Sequence, residues 1–177
     1  MKLTELARKT LEAYFGGVKF EPDEETKKKY GKNGASFVTL KIGDQLRGCI
    51  GTLTAIQPLC RDVQDNALNA ALHDPRFLSL EEIELGDISI EVSVLSKPKK
   101  LIFKTQEELL GKINHKMGII LKKGRFSATF LPQVWEQIPD KTLFLEHLSQ
   151  KAGLKKHEWK SAETEIWCYT VKAEREK

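Results

Sequence analysis

The segment from Ala35 to Leu53 constrains the fold of this chain more than any other. Its apolar and polar residues alternate. Over residues 35–42, Phe37 and Thr39 point to one side and Val38, Leu40 and Ile42 to the other. Gly43-Asp44 fits a two-residue turn, with glycine supplying the unusual backbone angle, and a second strand runs from Gln45 to about Leu53. Residues 87–95 predict another strand, with Ile88, Ile90, Val92 and Val94 on one side and Ser89, Glu91 and Ser93 on the other. Residues 117–122 and 125–131 predict a second hairpin around Lys123-Gly124, stopped by Pro132. A last strand, 164–172, carries Trp167 and Tyr169.

Helices are expected between these strands. Leu3, Leu6, Ala7, Leu11 and Tyr14 form the stripe of a helix over 2–15, ended by Gly16-Gly17. Pro22 fits the start of a short helical turn. Pro58 suits the first turn of a helix reaching about Leu72, broken by His73-Asp74-Pro75-Arg76-Phe77. Ser79 with Glu82, and Thr105 with Glu108, have capping-box spacing for short helices. Asp140 fits the cap of a helix carrying Leu143, Phe144, Leu148 and Ala152. Strands come mostly in hairpins with helices between pairs, and no strand–helix–strand repeat is present. The expected class is therefore α+β, a mainly antiparallel sheet with flanking helices.

The chain has 177 residues, 40% hydrophobic and 31% charged, which suits a globular protein able to bury a core without staples. Charges interrupt the apolar residues of 1–15, so a signal peptide is not expected, and no run is long enough to span a bilayer. Three cysteines, Cys49, Cys60 and Cys168, make no disulfide framework. A cytoplasmic protein is expected. The net charge of +4 is spread over interleaved acids and bases, so nucleic-acid binding through the lysine clusters is the weakest of the readings. The four histidines are scattered, no CxxC pair occurs, and no Walker or dinucleotide glycine loop is present. Neither a metal nor a cofactor is expected.

The chemically suggestive segment is Leu46-Arg47-Gly48-Cys49-Ile50-Gly51. Simple alternation puts Leu46 and Ile50 on one face and Arg47 and Cys49 on the other. A guanidinium one strand step from a thiol favours thiolate, which makes Cys49 the candidate nucleophile and Arg47 its activator. Gly48 and Gly51 are places where a ligand can approach the backbone, and Thr52 adds a hydroxyl. His73, Asp74 and Arg76 offer a base, a carboxylate and a guanidinium on one loop. Glu91, on the polar side of its strand, is a further candidate base. Cys60 and Cys168 read as packing residues. The residues leave two main readings open: an enzyme or enzyme component using Cys49, and a binding module using the same groove with Arg47 and Arg76.

These blocks resemble a known family. Phe37-Val38-Thr39-Leu40, the run Leu46 to Leu53, Asp74-Pro75-Arg76-Phe77 and Ile90 to Leu95 carry the resemblance. Leu131-Pro132-Gln133-Val134 and Lys151-Ala152-Gly153-Leu154 complete it. Together they resemble the AMMECR-type domain, also called AmmeMemoRadiSam system protein A, as one domain over residues 1–177. The resemblance implies an intracellular fold with a larger and a smaller subdomain and a functional surface at the Arg47-Cys49 strand. It also implies two partners, a Memo-like protein related in fold to extradiol dioxygenases and a radical-SAM protein. Any iron–sulfur cluster would belong to the latter.

Overall fold

The alternation over 35–53 does build a hairpin, and the rest of the first unit is laid on it. The computed structural model describes residues 1–176. It divides into two compact units, one of Met1–Leu95 with the segment from Lys172, the other Ser96–Val171.

In the first unit, β1 (Asn33–Ile42) pairs antiparallel with β2 (Gln45–Gly51) and, on its other side, with β4 (Ile88–Leu95). A two-residue strand, β3 (Gln57–Pro58), pairs with the start of β1. Gly43 takes φ 57° at the hairpin turn. Helices α1 (Leu3–Phe15) and α3 (Leu59–Leu72) pack on one face, burying Leu6, Leu11, Val63 and Ala67 against Val38, Leu40, Ile90 and Val92. A short helix, α2 (Glu24–Lys29), begins at Asp23, whose carboxylate accepts from Thr26 N. The Ser79–Glu82 box does not form. The reciprocal box joins Glu81 and Glu84 at the start of a 3-10 turn, Glu82–Gly86.

In the second unit, β6 (Met117–Lys123) lies between β7 (Phe126–Phe130) and β8 (Glu165–Arg175), and a two-residue strand, β5 (Lys99–Lys100), pairs with β8. These pairs too are antiparallel, which makes the protein α+β with an antiparallel sheet. Helix α4 (Gln106–Lys112) is capped by Thr105 and α5 (Lys141–Lys151) by Asp140. The core gathers Leu109, Ile119, Leu121, Phe144, Leu148, Trp159 and Ile166 around Trp135, which stacks on Phe144 with ring centroids 3.5 Å apart. The final strand runs longer than its alternation announces. Its residues from Lys172 on belong to the first unit, where Glu176 N–H donates to Ile90 O on β4 (3.0 Å). Among the described residues, no helix is long and apolar enough to cross a membrane.

Candidate functional site

A bulge decides where the motif strand aims its side chains. Pairing from the turn runs Ile42 to Gln45 and Lys41 to Leu46, then jumps, so that Leu40 faces Gly48 and Thr39 faces Cys49. Arg47 is the extra residue, and such an insertion re-aims side chains locally. Leu46 therefore shares the side of Lys41 and Thr39 rather than that of Ile50, and the expected common face of Arg47 and Cys49 does not exist. Arg47 instead reaches the segment after α3. Its Nε and Nη2 donate to the two Glu84 oxygens (2.7 and 2.9 Å), and Nη1 donates to Leu78 O (2.9 Å). Arg47 is a strut for that segment.

Cys49 lies half-buried on the face turned away from α1 and α3. Thr39 Oγ1 donates to its Sγ at 3.2 Å. Thr39 faces Glu91 across β4, so one row crosses three strands: Cys49, Thr39, Glu91. Arg175 extends it through an ion pair with Glu91. Ser93 Oγ, one step along β4, lies 3.5 Å from Glu91 Oε1. Glu91 was expected on a polar side; it is there, but buried.

The thiol is not activated. Burial pushes its pKa up, and the carboxylates of Asp74 and Glu91 push the same way. The Thr39 hydrogen bond and the Arg76 guanidinium oppose them without winning. The cation near Cys49 is thus Arg76, not Arg47. At neutral pH the group is a thiol.

The Asp74-Pro75-Arg76 loop grips the outer edge of β2, an edge strand. Asp74 Oδ2 accepts from Cys49 N (2.8 Å), and Arg76 Nη2 donates to Cys49 O (3.2 Å). Arg76 holds both Asp74 oxygens, through Nε at 2.9 Å and Nη2 at 2.7 Å. The pair stands in for a neighbouring strand and covers backbone groups that an open edge would expose. The Arg76 hydrogen bond holds the Asp74 carboxyl down at about 2. Because the Asp74 side chain is only 2% exposed, the shift carries about 2 kcal/mol of stability. A depressed carboxyl stabilises above its unfolded value, so this contribution is complete above about pH 4 and lost as pH falls through 2. Urea titrations at pH 7, 4 and 2 are expected to show Asp74→Asn less stable than wild type at pH 7, with the gap closing at pH 2. An unchanged gap would contradict this account.

The glycines serve packing. A Cβ on Gly48 would lie 2.1 Å from Ala70 O of α3, and one on Gly51 would lie 2.2 Å from the Phe37 ring. The space beside them is filled by the protein, not left for a ligand. His73 is exposed where α3 ends and takes no part in the bonds around Cys49. Thr52 Oγ1 donates to Asp62 (2.6 Å), a fully buried carboxylate that also accepts from Ser36 N and Oγ (2.7 and 2.6 Å) and from Asn66 (3.0 Å). Thr39, Asp62, Asn66, Glu84 and Arg175 were not among the expected site residues. The alternation of 35–42 put Thr39 on the side of Phe37, but only the bulged register sets it opposite Cys49.

The remaining motif blocks lie in the second unit. Leu131-Pro132-Gln133-Val134 leads a 3-10 turn, Pro132–Glu136, that delivers Trp135 Nε1 to Met117 O (2.8 Å). Lys151-Ala152-Gly153-Leu154 ends α5, with Gly153 at φ 79° and Lys151 Nζ on Thr129 O (3.0 Å). Among the described residues, no three His, Cys, Asp or Glu side chains converge to hold a metal ion.

Fold and site together define a two-unit α+β protein organised around a clamped, cysteine-bearing edge strand. The AMMECR1 family model matches residues 4–173, and the chain belongs to that family. It is similar to Protein NEQ441 of Nanoarchaeum equitans, 40% identical over 172 residues, 96% of each chain. Protein MK0488 of Methanopyrus kandleri is 40% identical over 94% of this chain and 83% of its own. Among solved structures, the uncharacterized protein PH0010 from Pyrococcus horikoshii superposes with a TM-score of 0.91 at 34% identity, over 99% of this chain and 90% of that one.

Proposed function

We propose that this protein is a binding module whose recognition surface is centred on half-buried Cys49 and Thr39, backed by buried Glu91, with Cys49 acting as a neutral thiol rather than a nucleophile. The observation that carries this reading is the commitment of the charged groups around the thiol. Arg47 is bound to Glu84, Arg76 to Asp74, and Asp74 to the Cys49 amide, while burial raises the thiol. Activated cysteines sit beside an uncommitted cation or base. Here the same groups make a rigid backbone that presents polar atoms in fixed positions, which lowers the entropy lost on binding. The partners implied by the resemblance, a Memo-like protein and a radical-SAM protein, are the ones this surface would serve in the cytoplasm.

Two measurements test the reading. Alkylation of the folded protein, resolved by cysteine and by pH, is expected to show Cys49 titrating above the ordinary thiol value of about 8.5. Fast modification well below that value would overturn it. In calorimetric titration with a purified Memo-like or radical-SAM partner, Cys49→Ser is expected to bind within about threefold of wild type and Cys49→Arg at least about tenfold more weakly. Equal binding by Cys49→Arg would remove the surface from consideration.

A further inference from the structure

Arg47, the extra residue of β2, reaches out of its strand to hold the chain that follows α3. Its guanidinium donates to Leu78 O and to both Glu84 oxygens. Other bonds fix the same stretch from below. Leu80 is buried in the core of the first unit, and its N–H donates to Ala71 O on α3 at 2.7 Å. Leu85 packs on that core, and Arg8 of α1 donates to Leu85 O at 2.6 Å. The Glu81–Glu84 box closes the turn between these anchors. A stretch tied at residues 78, 80, 84 and 85 keeps one shape.

What it holds up is apolar. Leu78 is 89% exposed and Ile83 83%, the two most exposed large hydrophobic residues among the described ones. A single exposed aliphatic is ordinary; exposed apolar surface rimmed by polar residues marks an interaction site. The rim here has one sign. Between Phe77 and Ile88 the chain carries Glu81, Glu82, Glu84 and Asp87 and no lysine, arginine or histidine. Two arginines touch it from elsewhere, and each is matched by a carboxylate, Arg47 by Glu84 and Arg8 by Glu176. Glu81, Glu82 and Asp87 are exposed and, among the described residues, in no ion pair. The hydrogen bond that Glu81 accepts from the Glu84 amide leaves its charge in place. Three uncompensated carboxylates therefore accompany Leu78 and Ile83.

That sign selects the occupant. A second copy docking through the same face would set like charges opposite each other. An anionic membrane and a nucleic acid are repelled for the same reason. We propose that the segment from Leu78 to Asp87 docks against a basic amphipathic stretch of a partner protein, in which Lys or Arg side chains flank large aliphatic ones. Leu78 and Ile83 supply the desolvated centre of the contact, and Glu81, Glu82 and Asp87 the rim that steers it. Because Arg47 already fixes the segment, little ordering entropy is lost on binding.

The test is a titration of the ¹⁵N-labelled full chain with a capped Lys-Leu-Leu-Lys-Lys-Leu-Leu-Lys peptide, read by amide shifts. Saturable shifts centred on residues 78–87 are expected, with a dissociation constant below about 1 mM. The Leu78→Ser/Ile83→Ser double variant changes two exposed side chains and leaves every anchoring bond in place. It is expected to bind at least about tenfold more weakly. Glu82→Lys, at a carboxylate without a partner among the described residues, is expected to weaken binding about threefold to tenfold. A Glu-Leu-Leu-Glu-Glu-Leu-Leu-Glu peptide is expected not to bind there. Absence of saturable shifts, shifts mapping elsewhere, unchanged affinity of either variant, or equal binding of the acidic peptide would overturn the proposal. So would self-association of the wild-type chain that the double variant abolishes, since a second copy would then cover this face.

Discussion

Gly48→Ala is expected to destabilise the protein by about 3 kcal/mol or more, the upper end for overpacking a core. The added methyl would lie 2.1 Å from the carbonyl oxygen of Ala70 and 3.0 Å from its carbon, and both belong to the backbone of α3. A flexible side chain can swing aside; a helix backbone in contact with β1 and β2 cannot move without disturbing the rest of the core. The companion variant is Gly111→Ala in α4, where nothing lies within 4 Å of the new Cβ and φ is ordinary. That change should stabilise by about 0.5–1 kcal/mol through helix propensity. Urea unfolding of the two variants beside wild type measures the contrast. A Gly48→Ala protein as stable as wild type would mean that β2 and α3 are not held as close as described.

Asp62→Ala is expected to lose about 4 kcal/mol, roughly 8–16 °C of melting temperature for a chain of this size. The carboxylate is fully buried and accepts from Ser36 N, Ser36 Oγ, Thr52 Oγ1 and Asn66 Nδ2. Removing it takes the acceptor from Ser36 N and Oγ in a dry interior and from partly buried Thr52, while Asn66 Nδ2 keeps Ser36 O (3.0 Å), and each buried unsatisfied group costs about 1–3 kcal/mol before the structure relaxes. Asp62→Asn should recover only part of the loss, because its amide nitrogen presents a donor to donors. The variant pair is read by thermal melts. A loss under about 1 kcal/mol for Asp62→Ala would mean that water takes over the network.

The elements whose pattern is local were legible. Alternation announced β1, β2 and β4, and the turn at Gly43 follows from its freedom of φ. The Asp140 cap and the Thr105 cap sit where their spacing put them. What was not legible depends on register. A two-residue turn with regular pairing would set Cys49 opposite Val38. One extra residue at Arg47 sets it opposite Thr39 and sends the guanidinium to Glu84. Gly48 was a hint, since glycine within a strand often marks a bulge, but the same glycine also fits a ligand approach and packing against a helix. The buried Asp62 had no signal at all. An aspartate in a helix's first turn reads as a favourable charge near the helix N-terminus, and only the fold brings Ser36 and Thr52 to it. The same holds for Ser79 and Glu82, where a capping spacing lost to Glu81 and Glu84 because Arg47 holds Glu84 in place.

The path of the last strand has a consequence for how the chain is made. Residues 165–171 belong to the second unit, but from Lys172 the same strand returns to the first. There Glu174 accepts from Thr4 N and Oγ1 at the start of α1, and Glu176 binds Arg8. These partners are about 170 residues apart in sequence. A ribosome delivers Thr4 170 residues before Glu174. The second unit is one uninterrupted stretch and can close on its own as it emerges, while the first, though begun earlier, stays incomplete until the chain that forms the second has been synthesised. Order of synthesis and order of completion are reversed in this protein. Through that interval the N-terminal helix waits for its carboxylate.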